Sequence, residues 1–69
     1  MRVVEAPSEL TPREHETAAL VASGLSNKQI AQILGTTEGT VKQHLHSVFI
    51  KLGIERRGHL ILYIERLRH

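Results

Sequence analysis

The sequence predicts an all-α fold of four helices. Capping residues and glycines divide most of the chain into segments bounded by the start and stop signals of helices. Within the segments, apolar residues recur three or four positions apart, which is the spacing of one helix face. Strand signals are weak, because Val3-Val4 is too short and the later β-branched residues fall at helical spacing. A chain of 69 residues without cysteine must hold one small core by helix packing, with no disulfide framework.

The first helix is predicted to begin at Thr11 and to end at Gly24. Thr11 is placed to cap the helix, Pro12 suits its first position, and Glu14 can complete a capping box. Glycine favours the left-handed backbone conformation that ends many helices. The predicted inward face consists of Ala18, Val21 and Ala22, with Leu20 beside it.

The second helix is predicted to begin at Ser26, with Gln29 as its capping partner, and to end at Gly35. Its predicted buried stripe consists of Ile30, Ala31, Ile33 and Leu34. Thr37 is the next predicted cap, and Glu38 is favourably placed against the dipole of the helix that follows.

The third and fourth helices are predicted at about 38–52 and about 57–68, with Gly53 ending the third. The core stripe of the third helix is predicted to be Val41, Leu45, Val48 and Leu52. The residues of the fourth helix that are predicted to face inward are Leu60, Ile64 and Leu67.

Residues 25–46 have the layout of a helix-turn-helix, in which one helix braces a second that enters the DNA major groove. Lys42, Gln43 and His46 lie outside the core stripe of the second of these helices. Lysine can donate to guanine, glutamine can pair with adenine, and histidine offers a donor or an acceptor. A polar helix face by itself is usually an ordinary solvated surface. Here the face follows a capped turn and a bracing helix, and that arrangement favours base reading.

Residues at the helix starts are predicted to contact the DNA backbone, because free N–H groups and a positive dipole end suit phosphate. The predicted contacts are Ser26, Asn27, Lys28, Thr37, Thr40 and Lys51. Ser26 and Thr37 also act as caps, and for Lys51 a solvated side chain is an equal alternative. Residues 1–25 hold two basic and four acidic side chains, whereas residues 26–69 hold seven basic and three acidic ones. That asymmetry suits a polyanionic partner.

No catalytic, metal or cofactor site is predicted. His44 and His46 are two residues apart, about 200° around a helix, and cannot share one ion. The other histidines are isolated, and neither a Ser/His/Asp arrangement nor a phosphate-binding glycine loop is present. No apolar run reaches the roughly 18 residues of a membrane span. The expected setting is therefore the cytoplasm, with no membrane or small-molecule partner.

Two apolar residues are predicted to be exposed. Ile50 and Leu62 lie opposite the core stripes of the third and fourth helices. Single exposed apolar residues are common, which is a sufficient explanation for Ile50. Leu62 has Ile61 and Tyr63 as neighbours, so a self-association patch and chance exposure both stay open.

The pattern of motifs resembles the LuxR/FixJ/NarL type of bacterial DNA-binding domain, of which GerE is a free-standing member. The matching segments are 10–14 (LTPRE), 24–28 (GLSNK), 30–31 (IA), 40–42 (TVK) with His44, 51–54 (KLGI), and Arg57 followed by Leu60. The resemblance covers residues 10–67, and so many matches at fixed spacing make it far more specific than a lone helix-turn-helix.

The resemblance implies a regulator of transcription that binds specific double-stranded DNA as a homodimer, with RNA polymerase as a candidate second partner. Its third helix would read the major groove through Lys42, Gln43 and His46. Backbone contacts are implied around Asn27, Lys28, Thr37 and Thr40. The fourth helix would form a two-fold dimer, with contacts at Ile61, Leu62, Glu65 and Arg66.

Three positions depart from the family pattern. Thr36 replaces an aliphatic residue, Gly39 lies in the first turn of the recognition helix, and His59 replaces Glu or Gln. Gly39 within GTVK is also similar to region four of extracytoplasmic-function sigma factors, which is one alternative. The segment 26–28 and His44 disfavour that alternative. The second alternative is a helical protein-interaction domain without DNA binding.

Residues 1–9 show no sustained periodicity and are predicted to be a flexible tail or linker ahead of a DNA-binding domain at 10–69. Relatives of this type usually join the domain to an N-terminal receiver or ligand-binding domain. The linker-like start favours an excised C-terminal domain over a free-standing regulator.

Overall fold

The computed structural model describes residues 10–67, which form four α-helices and contain no strand. The helices are α1 (Pro12–Ala22), α2 (Asn27–Leu34), α3 (Glu38–Leu52) and α4 (Arg57–Leu67). The all-α prediction is therefore confirmed. The tail predicted at residues 1–9 lies outside the described residues. None of the helices in the described range combines the length and apolarity needed to cross a bilayer.

The first two helices begin at the predicted capping boxes. The Thr11 hydroxyl accepts from the Glu14 N–H at 3.1 Å, and the Glu14 carboxylate accepts from the Thr11 N–H at 2.9 Å. At the start of α2, the Ser26 hydroxyl accepts from the Gln29 N–H at 3.2 Å, and Gln29 Oε1 accepts from the Ser26 N–H at 2.9 Å. Caps of this kind stabilise a helix by about 1 kcal/mol. Local hydrogen bonds therefore fix the start of α2, where Asn27 and Lys28 follow.

The turn between α2 and α3 depends on a left-handed glycine. Gly35 ends α2 with a φ of 69°, a conformation that costs other residues more than it costs glycine. Gly39, in the first turn of α3, has no such requirement, since its φ is not positive. Glycine there costs about 0.5–1 kcal/mol relative to alanine.

α1 packs against α3 and α4, α2 packs chiefly against α3, and all four helices contribute residues to the core. Within residues 10–67, every buried apolar residue belongs to a predicted stripe: Ala18, Val21, Ile30, Ala31, Val41, Leu45, Val48, Leu60 and Ile64. Half-buried residues of the same stripes pack at the edge of the core: Leu20, Ala22, Leu34 and Leu52. Thr17 is also fully buried, and its hydroxyl donates to the Arg13 carbonyl at 2.9 Å. That bond satisfies the polar group which the helix brings into the core.

Two residues predicted to face inward are exposed instead, Ile33 by 59% and Leu67 by 61%. Ile33 lies about 60° around α2 from Ile30, on the side away from Ala31 and Leu34. Because α2 buries only one narrow stripe, Ile33 falls on its flank. Leu67 follows the stripe of α4 but is the last residue of that helix, past the turns that pack into the core. Both inward assignments were therefore wrong.

Candidate nucleic-acid interface

The polar face predicted on α3 is at the surface. Lys42, Gln43 and His46 are all exposed, whereas Leu45 and Val48 of the same helix are buried. The preceding helix, α2, packs against α3 and therefore braces it as the sequence predicted. The exposure is confirmed, and the assignment of these three side chains to base edges stays a prediction.

An open cavity of about 270 Å³, here named the reading cavity, lies beside this face. Its lining consists of Asn27, Lys42, Leu45, His46, Phe49 and Arg57. It therefore brings Lys42 and His46, predicted to read bases, together with Asn27, predicted to contact the backbone. Gln43 does not border the reading cavity, although it is exposed nearby on the same helix.

A wider cavity of about 590 Å³ surrounds the start of α2. Its lining consists of Gly24, Leu25, Ser26, Asn27, Lys28, Gln29, Glu38 and Arg57. Lys28 is exposed there and supplies positive charge, which the carboxylate of Glu38 partly opposes. Asn27 and Arg57 border both cavities, so these two residues connect the surface at the start of α2 with the polar face of α3.

The start of α3 is capped by a threonine pair. Thr37 Oγ1 accepts from the Thr40 N–H at 3.1 Å and donates to Thr40 Oγ1 at the same distance. The cap predicted at Thr37 is confirmed. Because Thr40 Oγ1 acts as the acceptor in this pair, its own hydroxyl proton is available to another acceptor, as a phosphate contact requires.

Arg57 connects α4 to the start of α2, and the sequence motifs did not assign it to the interface. Its Nη1 donates to Asn27 Oδ1 at 2.9 Å, and its Nη2 donates to the Leu25 carbonyl at 2.8 Å. These partners are 30 and 32 positions away in sequence. Helical periodicity carries no information at that separation, so only the fold brings them together.

Lys51 is engaged inside the protein. Its Nζ lies 2.7 Å from Glu14 Oε1, and the side chains are 27% and 9% exposed, respectively. The Lys51 hydrogen bond holds the pKa of Glu14 below its usual value of 4.5, and the Thr11 N–H adds to that effect, while burial opposes it. The sequence explained Glu14 by its cap alone and left Lys51 either at the DNA backbone or in solvent. The structure pairs Lys51 with Glu14, and a contact of Lys51 with the DNA backbone stays a prediction.

The residues predicted for dimer formation fall into two groups. Leu62 is 57% exposed and borders a groove of about 290 Å³ together with Ile54, His59, Tyr63 and Arg66. Ile61 is half-buried and packs against the core, and the half-buried Glu65 already interacts within the protein. The groove therefore includes Leu62 and Arg66 from the predicted set but neither Ile61 nor Glu65.

The geometry identifies the class of protein. α2 packs against α3, and the polar face of α3 is exposed. Helix-turn-helix DNA-binding domains present a helix to the major groove in the same way. The family described as "Bacterial regulatory proteins, luxR family" matches residues 8–64. The chain belongs to this family, which comprises DNA-binding transcription regulators and is not a class of enzymes. The resemblance found in the sequence is confirmed.

Curated relatives come from several bacteria. The chain is 44% identical over 62 residues to the transcriptional regulatory protein MctR of Rhizobium johnstonii, covering 90% of this chain and 29% of that protein. Identity to the transcriptional regulatory protein LnrK of Bacillus subtilis is 42% over 66 residues, covering 91% and 30%. Identity to the nitrate/nitrite response regulator protein NarL of Escherichia coli is 38% over 61 residues, covering 88% and 28%. The chain thus spans less than a third of the length of these relatives.

Proposed function

We propose that this domain regulates transcription by binding specific double-stranded DNA sequences as a dimer, with α3 in the major groove. The reading cavity carries the proposal, because Lys42 and His46 of α3 meet Asn27 of α2 there. A helix in the major groove lies between two phosphate backbones, so groups for base edges and for phosphates must converge on one surface. The proposed setting is the bacterial cytoplasm, where the DNA is found.

Sequence is read in this proposal by Lys42, Gln43 and His46. All three are exposed; Lys42 and Gln43 lie in the second turn of α3 and His46 follows one turn later, on the side of a recognition helix that faces base edges. Leu45 and Phe49 give the reading cavity an apolar wall, which suits contact with a thymine methyl group. The polar groups supply hydrogen bonds with guanine or adenine, and the apolar wall restricts the neighbouring base.

The DNA backbone is contacted at the helix starts in this proposal. Asn27 and Lys28 act at the start of α2, supported by the Ser26 cap, and Thr40 acts at the start of α3, supported by the Thr37 cap. Lys51 is omitted from the proposed contacts because its ammonium group is held by Glu14.

Dimer formation is assigned to the groove on α4. Leu62 and Tyr63 place apolar surface beside Arg66 in that groove, and an apolar patch with a polar rim is typical of an association surface. A two-fold dimer would place two α3 helices about 34 Å apart in successive major grooves. The bound dimer would then meet RNA polymerase at a promoter as its second partner, and no step of this function requires covalent catalysis.

The experiment that tests the function is selection of bound duplexes from a random DNA pool, followed by titration of the selected duplex at two salt concentrations. We expect enrichment of an inverted repeat and affinity that falls steeply as salt rises. Arg13→Ala is a suitable control protein, because Arg13 is exposed on α1 and borders neither cavity. A protein-interaction domain without DNA binding would enrich no sequence, and that result would overturn the proposal.

A further inference from the structure

Arg57 joins the start of α4 to the start of α2. One nitrogen of its guanidinium group donates to the Asn27 side chain, and another donates to the Leu25 carbonyl. Leu25 directly precedes the Ser26 cap, and Asn27 is the first residue of α2. Because the guanidinium group is planar and its donors are rigidly spaced, the two bonds fix the Asn27 side chain relative to the backbone at the start of α2.

We propose that Arg57 is a positioning residue that orients the Asn27 amide for a DNA phosphate; this inference rests on the DNA binding proposed above. A guanidinium group has donors and no acceptor, so the Asn27 oxygen must face Arg57. The amide nitrogen is then directed away from Arg57, and its two N–H groups can donate to an acceptor outside the protein. Phosphate oxygens are acceptors, which makes them the complementary partner.

The surroundings of Asn27 match a phosphate. Asn27 borders the reading cavity together with Lys42 and His46, and it borders the wider cavity together with Lys28. A phosphate at the Asn27 amide would therefore have Lys42 on one side and Lys28 on the other, with the Glu38 carboxylate partly opposing the charge of Lys28. The charge of Arg57 adds to that field, although two of its five N–H donors are already engaged within the protein.

Asn27→Asp separates positioning from a purely structural role. The carboxylate keeps an acceptor for Arg57 and adds an ion pair, but it removes both N–H donors and turns negative charge toward the phosphate. We expect a urea midpoint at or above that of the parent protein and DNA affinity at least about tenfold weaker, which corresponds to about 1.4 kcal/mol. Gln32→Glu is the matched control. It makes the same chemical change at an exposed position of α2 that borders neither cavity.

A double-mutant cycle of Arg57→Lys and Asn27→Ala tests the coupling of the two residues. Lysine keeps the positive charge but cannot form the two-pronged contact. We expect each single variant to weaken binding about tenfold and the double variant to bind no more weakly than Asn27→Ala alone. We also expect Arg57→Lys to leave the salt dependence of binding unchanged, since no charge is lost. Urea unfolding confirms that each variant is folded at the assay temperature.

Three results would overturn the assignment of Arg57. They are additive losses in the cycle, parental affinity in Arg57→Lys, and equal affinities of Asn27→Asp and Gln32→Glu for a duplex that the parent protein binds tightly. Should Arg57→Lys fail to fold, the comparison of the two acidic variants still tests whether the Asn27 amide meets a phosphate, and Arg57→Gln replaces Arg57→Lys in the cycle. Failure of the parent protein to bind any selected duplex is a different outcome, because it would overturn the proposed function as well.

Discussion

The Glu14–Lys51 ion pair is expected to stabilise the fold, and Glu14→Gln separates its contribution from that of the helix cap. A glutamine can accept the Thr11 N–H, as Gln29 does for Ser26 at the start of α2, so the capping box is retained. What the substitution removes is the negative charge that Lys51 Nζ contacts at 2.7 Å.

The expected magnitude follows from the burial of the pair. Exposed ion pairs contribute about 0–1 kcal/mol, whereas breaking a fully buried pair costs about 3–5 kcal/mol. The side chain of Glu14 is 9% exposed and that of Lys51 is 27% exposed, so the pair lies between these limits and is partly screened by solvent. We expect Glu14→Gln to lower the free energy of unfolding by about 1–2 kcal/mol at neutral pH. In a domain of this size that loss lowers Tm by roughly 4–16 °C.

The pH dependence identifies the charge as the cause. The fold lowers the pKa of Glu14 from its usual 4.5, so the stabilisation is fully present above that pH and is lost as pH falls through the lowered pKa. Urea unfolding of the parent protein and of Glu14→Gln, in steps from neutral pH to about pH 3, measures this. The difference in unfolding free energy should be constant above pH 4.5 and shrink below it. A difference that does not vary with pH would refute the ion pair as its origin.

Lys51→Met provides the second arm of this experiment. In its background, Glu14→Gln should have little further effect on unfolding at neutral pH, because the charge partner is already absent. Lys51→Met should also leave the salt dependence of DNA binding unchanged, since the ammonium group is engaged inside the protein. A reduced salt dependence would restore Lys51 to the set of backbone contacts.

Three further predictions concern DNA binding and association. Lys42→Ala and His46→Ala should each weaken binding to the selected duplex by about 1–3 kcal/mol and reduce discrimination against shuffled duplexes; equal weakening on all duplexes in fluorescence anisotropy would contradict base reading. Lys28→Ala should weaken binding to every sequence and lower the slope of log affinity against log salt by about one. Arg13→Ala, which also removes one exposed positive charge, is the matched control and should leave that slope unchanged. Leu62→Glu should reduce self-association in analytical ultracentrifugation. Ile50→Glu should not, because Ile50 is 66% exposed but lies outside the α4 groove. Equal masses of Leu62→Glu and the parent protein at high concentration would contradict dimer formation through the groove.

Local rules predicted most of the fold because its helix boundaries are set by neighbouring residues. The Thr11 and Ser26 capping boxes and the Gly35 turn depend on contacts within three or four positions, and the structure confirms them. The buried stripes also follow from periodicity, since a helix that packs on one side hides one face. Periodicity failed at Ile33 and Leu67, because the width of a stripe and the length over which it is covered depend on the neighbouring helices.

The site could be predicted only in part, for the same reason. Sequence spacing placed Lys42 and His46 on one exposed face and Asn27 at the start of a helix, and it could not show that all three border a single cavity. The contact of Arg57 with Asn27 joins residues 30 positions apart, and that of Lys51 with Glu14 joins residues 37 apart. No local pattern specifies such pairs, although a basic residue near a buried acid is a physical requirement once the fold is known.

These long-range contacts change what the basic charge of residues 26–69 means. By sequence, every lysine and arginine there adds equally to attraction for a polyanion. In the fold, Lys51 neutralises Glu14 and Arg57 gives two of its donors to groups at the start of α2, whereas Lys28 and Lys42 are exposed. Counterion release depends on cations that reach phosphates. The charge counted along the chain therefore overstates the charge available to DNA, and the salt dependence of binding, rather than the isoelectric point, measures what remains.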